Sequence, residues 1–214
     1  MAINDRQGSE AIRKFGLKSN GYVLTCSRLV RHKGIHNLIK AFIKIKEENT
    51  NALRNLQLAI VGDSAYTDDY VAYLKKLAGS RDDIIFTGFQ SGKTLAQLFS
   101  NAYVYVHPSE AEGLPITVLE AMKYGKTVLV SNIPENIEAF AGHGYMFKNK
   151  NYHDLAYKLQ LLLANPKLVK TTGAKACQYV TENYDWEDIV DRTTDLYRRA
   201  LVSQEVTFAE SVQQ

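Results

Sequence analysis

Apolar residues recur along this chain in two alternating rhythms. Short runs rich in β-branched and aromatic side chains lie at Tyr22–Ser27, Leu56–Val61, Ile84–Phe86, Ala102–His107, Thr127–Ser131 and Tyr145–Phe147, and each predicts a strand. Between them, Leu38, Ile39, Phe42 and Ile45, then Val71, Leu74 and Leu77, then Leu95, Leu98 and Phe99 repeat at the spacing of one helical face. Val118, Leu119 and Met122 continue that rhythm from Thr117 onward. Strands and helices in alternation imply parallel βαβ units, hence an α/β domain with a doubly wound parallel sheet of about six strands and helices on both faces. From Tyr152 the pattern is helical only. Leu155, Leu159, Leu162, Leu163, Val169, Tyr179, Val180, Ile189, Leu196 and Tyr197 mark apolar faces there, with breaks at Asn165-Pro166 and Tyr184-Asp185. The expected layout is an N-terminal segment over 1–21, the α/β domain with its C-terminal helices over 22–201, and a polar tail over 202–214. The polar ends, Met1–Glu10 and Ser203–Gln214, are expected to fray.

Composition narrows the picture without adding a partner. A chain of 214 residues with 45% hydrophobic content can bury one good-sized core, whereas two full domains would both be small. The net charge of +3 is spread among interspersed acids and bases, so nothing demands a nucleic-acid partner. Cys26 and Cys177 fall in a predicted buried strand and a predicted helix, with no C-x-x-C pair, which fits a reducing, cytoplasmic setting. No apolar run approaches about 18 residues and the first residues are polar, so neither a membrane span nor a signal peptide is expected.

The most informative stretch runs from Pro108 to Met122. It sets Glu112 and Glu120 on either side of Gly113-Leu114-Pro115, across a turn that opens a helix. Pro108 and Pro115 interrupt regular structure, so Glu112 is expected in a loop at a strand's carboxyl end, where open α/β sheets bind ligands, and Glu120 in the first helical turn. Carboxylates suit vicinal hydroxyls there, because each accepts two or more hydrogen bonds. The competing reading is structural, since Ser109-x-x-Glu112 and Thr117-x-x-Glu120 both have the form of a capping box. The helix N-terminus near Ile116-Thr117-Val118 offers free amides and a favourable dipole to an anion, although Pro115 itself cannot donate.

A second cluster follows the first strand, in Ser27-Arg28-Leu29-Val30-Arg31-His32-Lys33-Gly34. Arg28 supplies a planar fork and Lys33 a movable point charge, both suited to phosphate; a solvated basic surface is the alternative. Gly62 and Gly88 end the second and third strands, where they allow close backbone approach or simply a turn, and Phe89 lies next to the ligand or in the core. Other signals weaken on inspection. Gly88 to Thr94 nearly spells a phosphate-binding P-loop but lacks one residue between its glycines, and no G-x-G-x-x-G follows the first strand. His32 and His36 have no apparent third metal ligand and are read as surface residues. His107, ahead of Pro108, either faces the site or satisfies local backbone, and the second reading is preferred. Asp-x-Asp is absent, which leaves a bridging divalent metal unsupported.

Glu112-x7-Glu120, the Arg28 to Gly34 loop, Val61-Gly62-Asp63, Phe86-Thr87-Gly88-Phe89 and Tyr103 to Ser109 together resemble the retaining nucleotide-sugar glycosyltransferases related to glycogen and sucrose synthases, group 1 or family 4. The likeness covers roughly Tyr22 to Leu201. It implies a Rossmann-like donor-binding domain, one half of a GT-B fold, that takes no cofactor and no metal and uses a UDP-, GDP- or ADP-sugar as donor. By the same resemblance, Arg28 and Lys33 bind the diphosphate, Glu120 holds the ribose hydroxyls and Glu112 those of the transferred sugar. Gly88 and Phe89 lie toward the base, and Gly62, Gly113, Leu114, Ile116 and Thr117 complete the donor site. Glu112, Arg28 and Lys33 are the catalytic candidates. Pro134-Glu135-Asn136 is similar to a Pro-Glu segment of the family, but the glycines that usually precede it are missing, so Glu135 stays outside the site.

The resemblance also implies what is missing. An acceptor-binding domain normally precedes this one, so the expected partners are that domain, in cis or in trans, and an acceptor glycan or lipid-linked sugar, with attachment to the inner membrane face through that domain. The segment Trp186 to Leu201 matches a tail that often crosses back to it. Front-face departure of the diphosphate is implied as the route, with Glu112 as a nucleophile the alternative. A non-catalytic nucleotide-sugar-binding module and, further off, a nucleotide-sugar epimerase are the other readings.

Overall fold

The computed structural model describes residues 8–48, 53–184 and 190–201. Six strands, β1 Tyr22–Cys26, β2 Gln57–Val61, β3 Ile84–Gly88, β4 Val104–His107, β5 Val128–Ser131 and β6 Tyr145–Phe147, form one sheet in the order β3-β2-β1-β4-β5-β6. Every neighbouring pair is parallel. The expected strands recur within two residues at each end. The largest differences are two residues, at the start of β4 and at the end of β3, which continues to Gly88 past a register irregularity between Ile60 and Val61 of β2.

The strand sequences are nearly continuous apolar runs because helices cover both faces of the sheet. Helices α1 Glu10–Arg13, α2 Ile35–Glu48, α3 Asp68–Ala78, α4 Gly92–Asn101, α5 Ile116–Lys123, α6 Pro134–Phe140, α7 Tyr152–Leu163 and α8 Pro166–Asn183 connect or follow the strands. Val23, Leu58, Ile60, Val104, Val106 and Leu129 turn to one face, where they join Leu38, Phe42 and Ile45 of α2, Leu74 of α3 and Leu155 and Leu159 of α7 in one buried cluster. Alternate residues point the other way, as strand geometry requires, and there Phe99 of α4 meets the Tyr105 ring at 5.6 Å.

Two helices escaped the sequence reading. Helix α1 is one turn long, yet Ile12 is fully buried, and Leu17 nearly so. Ala11 N donates to Gln97 Oε1 at 2.8 Å, and Asn101 Nδ2 donates to Gly8 O at 2.9 Å, so the segment ahead of β1 is tied to α4. Glu10, expected in a frayed end, opens that helix. Helix α6 begins at Pro134, whose fixed φ suits a first helical position. The break expected at Asn165-Pro166 is where α8 starts. Asp185 and the tail Ser203–Gln214 lie outside the described residues.

The described residues divide into one compact unit that ends at Gln178 and a second that begins at Tyr179. The first takes in the docked N-terminal segment together with the sheet. In the second, the Tyr179 and Tyr184 rings meet edge to face at 6.1 Å, and residues 190–201 are helical.

Strand order places the functional question. Chain direction across the sheet reverses between β1 and β4, and the loops leaving their carboxyl ends part there, opening the crevice in which such sheets bind ligands. The Arg28 loop and the Glu112 loop are those two.

Candidate functional site

A stitched pair of loops builds the site. After β1, Ser27 N donates to Val61 O at 3.0 Å and Leu29 N to Asp63 O at 2.9 Å, which holds the chain against the end of β2. Arg31–Lys33 then form a single 3-10 turn that closes at Gly34 in the left-handed region, φ 65°. A Cβ on Gly34 would stand 2.0 Å from the Pro108 carbonyl oxygen, so only glycine lets the basic turn lie against the end of β4. The β4 loop answers with Glu110 N donating to His32 O at 2.6 Å and Ser109 Oγ to the same oxygen at 3.2 Å. These contacts bring Lys33 to Glu112 across 79 positions of sequence.

Lys33 Nζ donates to both oxygens of Glu112, at 2.6 and 2.7 Å. His107 Nε2 donates to Oε1 of the same carboxylate, also at 2.7 Å. Burial pushes the Glu112 carboxyl up, but the hydrogen bonds from His107 and Lys33 more than offset it and hold it at about 2. His107 is 2% exposed. Burial lowers its basicity against the pull of Glu112, so the imidazole is neutral near pH 7 and the positive charge of the cluster resides on Lys33. Behind it, the Tyr105 hydroxyl lies 3.4 Å from His107 Nδ1 and donates to Cys26 O at 3.1 Å, and the Thr117 hydroxyl faces the same phenol.

A pocket of about 200 Å³ opens over these groups, lined by Cys26, Ser27, Arg28, Lys33, His107 and Glu112, with Leu114 to Thr117 forming the opposite wall. Arg28 is exposed at its mouth, and its guanidinium forms no ion pair among the described residues. Leu114 and Ile116 present apolar side chains, 59% and 56% exposed. Burial pushes the Cys26 thiol up to about 12, which leaves it protonated and unreactive.

Six of the site residues expected from sequence thus meet in one pocket: Arg28, Lys33, Glu112, Leu114, Ile116 and Thr117. Gly113 lies within the same loop but does not line it. Gly62 and Gly88 are brought together at the ends of β2 and β3, where Gly62 N donates to Gly88 O at 3.0 Å. Gly62 adopts φ 135°, and a Cβ there would meet Ser27 O at 1.8 Å, which ties it to the pocket wall through Ser27. Phe89 is 73% exposed, so the core reading fails for it.

Glu120 is not among the residues that line the pocket, and it falls in the second turn of α5 rather than the first, because the helix starts one residue earlier than expected. Neither capping box forms. Pro115 occupies the N-cap with no side-chain cap, and residues 109–112 are not helical. Glu120 faces Cys26 and Tyr105, takes no ion pair among the described residues, and burial pushes its carboxyl up.

Two histidine expectations are corrected. For His107 the preferred backbone reading gives way to the site-facing one: it lines the pocket and bonds Glu112, and the sequence signal is its place five residues before that acid, at the end of a strand. His36, expected at the surface, is largely buried, with Nδ1 3.0 Å from the Tyr70 hydroxyl and Nε2 3.8 Å from Glu110. His32 is exposed, as expected. Among the described residues no group of three His, Cys, Asp or Glu side chains is placed to hold a metal ion. No described helix is long and apolar enough to cross a membrane.

Comparison with known proteins adds relatives to this geometry. The sequence profile described as "Glycosyl transferases group 1" matches residues 9–179. An uncharacterized glycosyltransferase of Methanocaldococcus jannaschii is 33% identical over 181 residues, 84% of this chain and 45% of that protein. The N,N'-diacetylbacillosaminyl-diphospho-undecaprenol alpha-1,3-N-acetylgalactosaminyltransferase of Campylobacter jejuni is 30% identical over 184 residues, 84% of this chain and 45% of that one. Among solved structures, Anabaena HepE in complex with UDP and glucose has a TM-score of 0.80 at 22% identity, covering 93% of this chain and 53% of that one. The chain therefore spans less than half the length of these relatives and about half of that structure.

Proposed function

Because the chain belongs to the group 1 glycosyl transferases, we propose that it is the donor-binding half of a retaining, metal-independent enzyme of two-domain architecture that moves a hexose from a nucleotide sugar to an acceptor hydroxyl. The observation that carries this reading is an anionic Glu112, clamped by Lys33 and His107 in a pocket that is also lined by an Arg28 with no ion pair among the described residues. Cleaving the bond between sugar and diphosphate builds negative charge on the leaving oxygens, and fixed positive groups must face them. Arg28, Lys33 and the N-terminus of α5 supply that field without a divalent cation.

Glu112 serves the sugar rather than the phosphates. A carboxylate held at about 2 is a weak base and a poor nucleophile, so its role is to accept hydrogen bonds from sugar hydroxyls. The bond from the anomeric carbon to the phosphate oxygen breaks on the face where the acceptor hydroxyl approaches. The new carbon–oxygen bond forms on that face, and the leaving phosphate oxygen takes the acceptor's proton. Products are a glycoside of unchanged configuration and a nucleoside diphosphate. Glu120, half-buried and without an ion pair among the described residues, is assigned to the ribose hydroxyls, which would supply hydrogen-bond donors to it.

Neighbours support the donor class: HepE was solved with UDP and glucose. The name of the Campylobacter relative, with its diphospho-undecaprenol, supports a lipid-linked sugar as one acceptor class. A pocket of about 200 Å³ is small beside the roughly 300–1,000 Å³ typical of closed ligand sites, in keeping with a half-site completed by an acceptor-binding domain.

The test is calorimetric titration of the chain with UDP, GDP and ADP and their glucose or mannose conjugates, with chelator present. Binding of at least one pair is expected, and transfer should require an added acceptor domain. Failure to bind any of them would remove the reading.

A further inference from the structure

Lys33 has two claims on it. In the structure both of its contacts are to Glu112, yet the diphosphate of a bound donor would draw the same amine. A carboxylate that loses its cation is free to rotate, unless another group holds it. His107 is that group, because its bond to Oε1 comes from the end of β4, within the sheet, and does not depend on Lys33. The ring is held in turn. It stacks on Tyr105 with centroids 6.1 Å apart and planes 20° apart, and Tyr105 is anchored through its hydroxyl to the Cys26 carbonyl.

We infer that His107 is a positioning residue, whose Nε2–H fixes Glu112 Oε1 so that the carboxylate keeps its aim at the transferred sugar when Lys33 turns to the diphosphate. The inference rests on the nucleotide-sugar reading and adds a determinant of sugar affinity to it. A neutral imidazole suits the task. It donates one directed hydrogen bond to an ionised carboxylate, which can only accept, without adding a second buried positive charge beside Lys33.

Two measurements test it. In the ligand-free chain labelled with 15N-histidine, His107 should give the signature of the Nε2–H tautomer, and an Nδ1–H tautomer would overturn the inference. Second, affinities for UDP and UDP-glucose, with GDP and GDP-mannose run in parallel, are compared in wild type, H107F and H107Q. H107F fills the ring's space without a donor and should lose about tenfold in sugar-nucleotide affinity while nucleoside diphosphate affinity stays within about twofold. H107Q, whose amide can reach Glu112, should recover to within about threefold. If H107F fails to fold, H107N, whose amide stops short of Glu112, takes its place. Wild type that binds neither compound of any pair overturns the donor reading and this role with it. Wild type that binds both, with H107F or H107N weakening both equally or neither, overturns the positioning role alone.

Discussion

Replacing Glu112 with Gln should reveal how strongly the clamp is charged. The carboxyl sits at about 2 in the folded protein against an ordinary 4.5, a difference equivalent to about 3 kcal/mol of stability at neutral pH. Its side chain is only 7% exposed and that of Lys33 13%, so solvent screens the pair little. The sign follows from the depressed value: the contribution is complete above 4.5 and fades as pH falls through the folded value near 2. Wild type should therefore be more stable than E112Q by about 3 kcal/mol at pH 7, a gap that shrinks to about 1 kcal/mol at pH 3, where the unfolded chain already binds the proton. In a unit of this size that is about 6–12 °C in melting temperature at pH 7. Urea denaturation at pH 7, 5, 4 and 3 measures the gap. His107 is the neighbouring group that also titrates in the window, and a parallel pair in the H107Q background removes its contribution. A gap that does not change with pH, or E112Q as stable as wild type at pH 7, would refute the charged clamp.

Other expectations are shorter. Arg28→Glu should cut nucleoside diphosphate affinity by tenfold or more in calorimetry while leaving the melting temperature nearly unchanged, since Arg28 is exposed and forms no ion pair among the described residues; an unaltered affinity would take Arg28 out of the site. Glu120→Ala should weaken nucleoside diphosphate more than inorganic pyrophosphate, and equal losses would end the ribose assignment. Glu120→Gln should raise stability at pH 7, because a carboxyl pushed up by burial costs stability as pH rises above its unfolded value, and the gain should vanish below about pH 4. Gly34→Ala forces a Cβ onto the Pro108 carbonyl at a positive φ and should destabilise by about 2–4 kcal/mol in the same denaturation assay, with Lys33 displaced from Glu112.

The strands were legible because both faces of the sheet are buried, which writes each one as an uninterrupted apolar run. Helix α1 was not, because its four residues carry one deeply buried side chain, Ile12, too few to set a period. Its hold on α4 comes instead from Gln97 and Asn101, polar residues whose burial no hydropathy pattern announces. Pocket residues could be named from their motifs, but not the bonds among them. That Lys33 sits on Glu112 depends on Gly34 touching Pro108 and on His32 receiving two hydrogen bonds from the opposite loop, and contacts across such distances leave no local mark. His107 hid for a related reason: a histidine that ends a strand looks alike whether its ring meets backbone or a carboxylate.

The two acids of the motif, alike in sequence, are shifted in opposite directions, and that contrast argues for separate duties. Glu112 has its counter-charge built in, so it is ionised before any ligand arrives, and what it offers is a fixed acceptor of low basicity. Glu120 carries the cost of partial burial with no ion pair among the described residues, and a pair of vicinal hydroxyls would give it hydrogen bonds without neutralising it. Environments that push two neighbouring carboxyls in opposite directions are how one site assigns different tasks to the same side chain. Exchanging the environments should exchange the behaviour: a Cys26→Lys substitution, which sets an amine beside Glu120, should pull that carboxyl down, stabilise the free protein and weaken nucleoside diphosphate binding as the new cation competes for the ribose acceptor. Tighter binding in that variant would mean that the phosphates, not the ribose, lie over Glu120.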